Sequence, residues 1–166
     1  IVYAAKAPEA KAFQLFLRRL DDRLARPIPG TEGAREPVFS SNGASIAYIH
    51  DAKAIRRIPV SGGTVETVLQ GSEQSNFFVL RWGDDDFIYY DDDGTEGIYR
   101  VSAKGATPQV VVKGGSPEYP EPLPGGRTVL YSGEIDNEIR VMDIETGKSQ
   151  SLGLKALEIP THPRSG

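Results

Sequence analysis

The chain has 166 residues, a formal net charge of −4 and no cysteine, which excludes disulfides, thiolate metal sites and cysteine nucleophiles. The negative balance argues against a nucleic-acid or membrane-surface binder, no apolar run approaches the ~20 residues of a membrane span, and nothing ahead of the strand-like run at Ile1 reads as a signal peptide. Gly 18 and Pro 12 point to short strands joined by tight turns.

Taken in chain order, one unit recurs four times. An apolar-x-Tyr run appears as Ile1-Val2-Tyr3, Ile46-Ala47-Tyr48, Ile88-Tyr89-Tyr90 and Val129-Leu130-Tyr131. Two apolar residues three apart follow: Leu17/Leu20, Ile55/Ile58, Ile98/Val101 and Ile139/Met142. A turn comes next, at Asp21-Asp22, Ser61–Gly63, Lys104-Gly105 and Glu145–Gly147, and then a short strand around Pro27-Ile28, Thr67–Leu69, Val110–Val112 and Gln150–Leu152. The unit closes on Pro37–Gly43, Leu80–Asp85, Pro120–Gly126 and Pro160–Gly166. A helix over Ala4–Leu24 competes locally, because Phe13, Phe16, Leu17 and Leu20 have roughly helical spacing. The shared register overrides it, and residues 5–12 become an enlarged hairpin loop.

Four strands recurring about every 41 residues predict an all-β chain of four-stranded antiparallel blades, a β-propeller. The whole chain reads as one propeller or half-propeller domain, with repeats at approximately 1–44, 45–86, 87–127 and 128–166. The pattern Pro37-x-Phe39-Ser40-x-Asn42-Gly43-x-x-Ile46-Ala47-Tyr48, followed by Ile55-x-x-Ile58-x-Val60 and Gly62-Gly63, resembles the TolB-like, WD40-like β-propeller repeat of bacteria. Leu17–Asp21 and Ala25–Ala34 are similar to propeller segments appended to bacterial signalling proteins. Arg81–Asp86 replaces the usual Ser-Pro-Asp-Gly turn, and His162–Gly166 is one residue longer. The resemblance implies a scaffold and carries no catalytic residues.

In that family the Pro-x-Phe-Ser run is a blade's innermost strand. The N-terminus then supplies three outer strands, Ile1–Tyr3, Phe13–Leu20 and Arg26–Ile28, without an inner one, and Leu157–His162 is an inner strand without outer ones. The ends pair within one chain, giving four blades, or between two, giving eight, or the chain is cut from a longer propeller. The reading taken is a homodimer in which Leu157–His162 pairs with Ile1–Tyr3 of another chain.

Inner strands line a propeller's channel, so the candidate ligand-binding residues are Arg35, Arg81, Glu118, Glu121, Glu158 and His162. Their mixed charge equally suits solvation of a water-filled channel. Asp84–Asp86 and Asp91–Asp93 read as solvated turns at opposite ends of one short strand, too compressed for a calcium loop. Tyr3, Tyr48, Tyr90 and Tyr131 share one blade position and read as inter-blade packing. In the pairs Arg18-Arg19 and Arg56-Arg57, one arginine should face solvent and the other should bond to carbonyls or acids between blades. No Gly-x-Ser-x-Gly elbow, zinc-ligand cluster or phosphate loop is present.

The expectation is therefore a non-catalytic scaffold without cofactor, binding a protein, peptide or small ligand on a ring face or at the channel mouth. The favoured face carries Ala5–Ala12, His50–Lys53, Asp91–Glu96 and Ser132–Asn137. The alternative is the propeller part of a larger enzyme, a prolyl-oligopeptidase-like hydrolase or a channel-mouth lyase. Periplasm and cytoplasm both suit this composition.

Overall fold

A computed structural model describes residues 1–133 and 136–156, and it is all β: no helix occurs among the described residues. Among the described residues no helix is long and apolar enough to cross a membrane. The first sheet has three strands, β1 (Val2–Ala5), β2 (Gln14–Leu17) and β3 (Arg26–Pro27). The second holds β4 (Ala34–Phe39), β5 (Ser45–His50), β6 (Ala54–Pro59) and β7 (Glu66–Gln70). The third holds β8 (Phe77–Trp82), β9 (Phe87–Asp92), β10 (Gly97–Ser102) and β11 (Gln109–Lys113). The fourth holds β12 (Pro117–Pro122), β13 (Thr128–Gly133), β14 (Glu138–Asp143) and β15 (Lys148–Lys155). Every sheet is an antiparallel meander in chain order, and β4, β8 and β12 are first strands, as the repeat predicts. The run 4–24 contains β1 and β2 rather than a helix.

Successive sheets stack face to face, and period-two alternation decides which side chain meets which neighbour. On β5, Ile46 and Tyr48 pack toward the first blade with Leu15, Ile28, Ala34 and Ile58. Their neighbours Ala47 and Ile49 pack the other way, with Phe77, Leu80, Ile88, Tyr90 and Val101. On β9, Ile88 and Tyr90 serve that second layer, while Tyr89 joins Val111, Val129, Tyr131 and Met142 in the third. The tyrosine column is thus inter-blade packing at Tyr48, Tyr90 and Tyr131. Tyr3, at the open end of the arc, is exposed and stacks on Phe16 with ring centres 6.0 Å apart.

The turns close the seams between blades. The shortened Arg81–Asp86 turn puts Asp86 in the left-handed region at φ 62°. Asp84 accepts the Gly125 N–H of the next blade at 3.0 Å, and Asp85 accepts the Tyr89 hydroxyl at 2.7 Å. These carboxylates hold a seam rather than only meeting solvent. The arginine pairs need a similar correction. Arg19 faces solvent beside Asp21 and Arg57 pairs with Glu66, but Arg56 buries its Nε without a protein acceptor among the described residues.

The β9–β10 loop passes so close to the loop joining β7 to β8 that a Cβ on Gly94 would collide with the Gln74 carbonyl oxygen. Gly43, by contrast, has open space around it and only a positive φ of 68°. Gly94→Ala is expected to lower the unfolding free energy by about 2–4 kcal/mol, since a backbone must move. Gly43→Ala should lower it by about 1 kcal/mol, the strain of one left-handed residue. Urea titration of both variants checks the order; equal losses would refute the close approach.

Candidate ligand-binding mouth on the inner strands

Strands β4, β8 and β12 lie side by side, with β8 in the middle. Each is interrupted by a register shift against its second strand: between Arg35 and Val38, between Phe77 and Leu80, and between Glu118 and Glu121. A β-bulge leaves one residue outside the ladder and re-aims its neighbours. The extra residue takes a left-handed backbone at Glu36 (φ 49°) and Tyr119 (φ 55°). Such a φ is uncommon for non-glycine residues, above all for a bulky one, and persists only where the surroundings hold it.

At Tyr119 the N–H of the left-handed residue is accepted by Asp91. The carboxylate lies at the end of β9 and is only 3% exposed. One oxygen accepts the Val79 N–H at 2.8 Å and the other the Tyr119 N–H at 3.3 Å. Burial pushes its carboxyl up to about 6; the two N–H donors oppose this, and the charges of Asp93 and Glu118 add to it. Asp92 is also buried and accepts the Asn76 N–H at 2.7 Å and the Gly94 N–H at 3.1 Å. The reading of Asp91–Asp93 as solvated turns is therefore wrong for its first two members. Strand pairing keeps β9 in the ladder through Asp92, so these side chains fall inside the fold.

Beside Asp91 opens a shallow cleft, continuous with solvent and lined by Asp92, Asp93, Glu96, Gly97, Ser116, Pro117 and Glu118. Tyr119 is 42% exposed on one inner strand and Phe78 is 43% exposed on the next. The Tyr119 phenol is pushed above its ordinary value by partial burial and then by the negative charges of Glu118, Asp91, Asp93 and Glu36.

The predicted channel residues divide. Arg81 and Glu121, at corresponding positions of β8 and β12, form an ion pair at 2.8 Å, with Arg81 also donating to the Leu80 carbonyl. Glu118 lines the cleft on the other side of the bulge. Arg35 is exposed on β4, beyond β8 from that pair. Glu158 and His162 lie outside the described residues. Sequence reasoning missed Asp91 and Tyr119. The available signal was the column itself: the residue paired with the leading isoleucine of each third strand is Ile49, Asp91 and Ser132 in turn. Among the described residues no group of three or more His, Asp or Glu is placed to hold a metal ion.

The raised carboxyl of Asp91 has a definite sign in folding. Its proton is held more tightly in the folded chain than in the unfolded one, so its ionisation opposes folding. Stability from this group is greatest below about pH 4 and falls as pH rises toward about 6, by at most about 3 kcal/mol. Asp136 and Asp143 act oppositely: a hydrogen bond from Arg140, and the Thr146 N–H followed by Arg127, hold them below the ordinary value. Their contribution is lost at still lower pH. Comparing unfolding of the native chain and Asp91→Asn between pH 4 and pH 7 isolates Asp91. The variant should lose the downward slope, and identical slopes would place the titration elsewhere.

No family model matches the chain, and no curated protein matches it. Solved structures do. An oligogalacturonate lyase from Vibrio parahaemolyticus superposes with a TM-score of 0.74 at 9% identity, over 90% of this chain and 48% of that one. A catalytically inactive virginiamycin B lyase from Staphylococcus aureus, with quinupristin, gives 0.63 at 16% identity over 96% and 56%. A nidogen–laminin complex gives 0.69 at 11% identity over 93% and 62%. The chain spans about half the length of the two lyases. Likeness at such identities shows the fold, and the fold is that of a β-propeller. It also corrects one expectation: two of these three structures are lyases, so the assignment of this chain as a non-enzyme does not stand.

Proposed function

We propose that the chain is a TolB-like propeller arc that binds a cationic ligand, a peptide bearing lysine or arginine, at the mouth formed by β8 and β12. One observation carries the reading: Tyr119 is exposed next to Glu118, in a cleft that Asp92, Asp93 and Glu96 also line. An aromatic face beside carboxylates complements an ammonium or guanidinium group, by cation–π attraction and charge-assisted hydrogen bonding. The net charge of −4 steers such a ligand toward the surface.

The lyase likenesses support a second reading, in which the same mouth acts on its ligand. An anionic oligosaccharide, of the kind named for the oligogalacturonate lyase, would meet four like charges there, and this favours the cationic ligand. Fluorescence anisotropy with a Lys/Arg-rich peptide and a Glu-substituted counterpart tests the choice. The basic peptide should bind and weaken steeply with salt. Tyr119→Ala and Glu118→Gln should each weaken it about tenfold, near the value of one desolvated cation–π or charged contact. Equal binding of both peptides, or turnover of an anionic oligosaccharide, would overturn the cationic reading.

The arc also needs completing. Ile1 and Arg18 exchange backbone bonds, so antiparallel alternation turns the N–H and C=O of Val2 and Ala4 to the other edge of β1. The other three sheets carry an inner strand at that edge. We propose that a second copy supplies it; the expected donor, Leu157–His162, lies outside the described residues. Light scattering on a sizing column at two concentrations should give twice the 18.0 kDa of one chain. A stable single-chain mass would refute the dimer.

A further inference from the structure

The bulge amides of Val79 and Tyr119 hold corresponding places on neighbouring inner strands. An amide pushed out of the ladder and buried must find another acceptor. At this seam a single side chain serves both, one oxygen each. The column offers no other residue able to do so: Ile49 has no acceptor, and the one hydroxyl of Ser132 has no second oxygen. A neutral hydrogen-bonding residue would satisfy one amide at lower desolvation cost. A carboxylate satisfies two, and it ties β8 to β12 where the mouth lies between them.

We propose that Asp91 is a positioning residue of the mouth: by taking the Val79 and Tyr119 amides together, it locks Tyr119 in its left-handed conformation and presents the ring to the ligand. This rests on the cationic-ligand reading above. Asp91 itself is buried and does not touch the ligand. Its influence passes through the Tyr119 backbone, and the ion pair Arg81–Glu121 crosses the same two strands on the other side of the bulge.

The test has two arms on the full chain. In the first, NMR amide exchange is followed without ligand in the native chain, in Asp91→Asn and in Asp91→Ile. Asp91→Ile copies the residue that the second blade buries in this column, which keeps the fold available. In Asp91→Ile both amides should exchange at least about tenfold faster, and in Asp91→Asn one of the two, since a carboxamide has a single acceptor oxygen. Unchanged exchange at Tyr119 in both variants would overturn the clamp. The second arm is a double-mutant cycle on binding of the basic peptide. Asp91→Asn should weaken it about tenfold beside native Tyr119 and by clearly less in the Tyr119→Ala background. Equal losses in both backgrounds would show that Asp91 acts by its charge alone and would overturn the positioning role. A native chain that binds no basic peptide refutes the mouth reading, while the exchange arm still decides the clamp.

Discussion

The structure depends on one constraint: a twisted four-stranded sheet cannot bury its faces alone, so each blade is stable only between two others. The strands β5 and β9 show how the chain meets it. They carry apolar residues on both sides, Ile46 and Tyr48 against Ala47 and Ile49, then Ile88 and Tyr90 against Tyr89. Burying one such side chain contributes about 1.5–3 kcal/mol, and each layer gathers several. The three layers occur at the three seams between blades. Among the described residues the first and fourth blades each pack on one neighbour alone. Ile1 and Tyr3 on the first blade, and Leu152 and Leu154 on the fourth, remain exposed.

Against that apolar background, the seam between the third and fourth blades is chemically different. Where the second blade places Ile49, the third places a carboxylate, and Tyr89, Asp85 and Arg100 add a polar cluster toward the opposite end of β9. Stability alone does not explain Asp91. An apolar residue there would avoid desolvating a charge, and Ile49 shows that the column accepts one. A costly buried acid beside an open cleft is a pattern associated with functional sites.

How much of this was legible follows from what a repeat preserves. The blades, their order and the inner-strand register are properties shared by the units, and the recurring landmarks made them readable, except in the first blade, where Leu15 and not Leu17 takes the place of Ile55 and Leu20 is exposed beyond β2. The missing inner strand of the first sheet was readable for the same reason. Asp91 was not, because a run of three aspartates before glycine looks like a solvated turn in any single unit. Only strand pairing shows that β9 continues through Asp92. The bulges were hidden as well, since a left-handed Glu36 or Tyr119 has no compositional mark. The Arg81–Glu121 pair was half legible: alignment put the two residues at one position without showing that neighbouring strands bring them within 2.8 Å.

The bulge links the packing of the seam to the cleft beside it. A regular inner strand would pair all its amides with the second strand and set its side chains in strict alternation. The extra residue breaks that alternation and frees an amide, and the freed amide must be accepted by something buried. In the third blade that acceptor is charged and reaches across to the next blade. The device that interrupts the inner strand therefore also joins two blades through one carboxylate. A change at either the amide or the carboxylate is felt in the packing of the seam and in the geometry of the cleft at once.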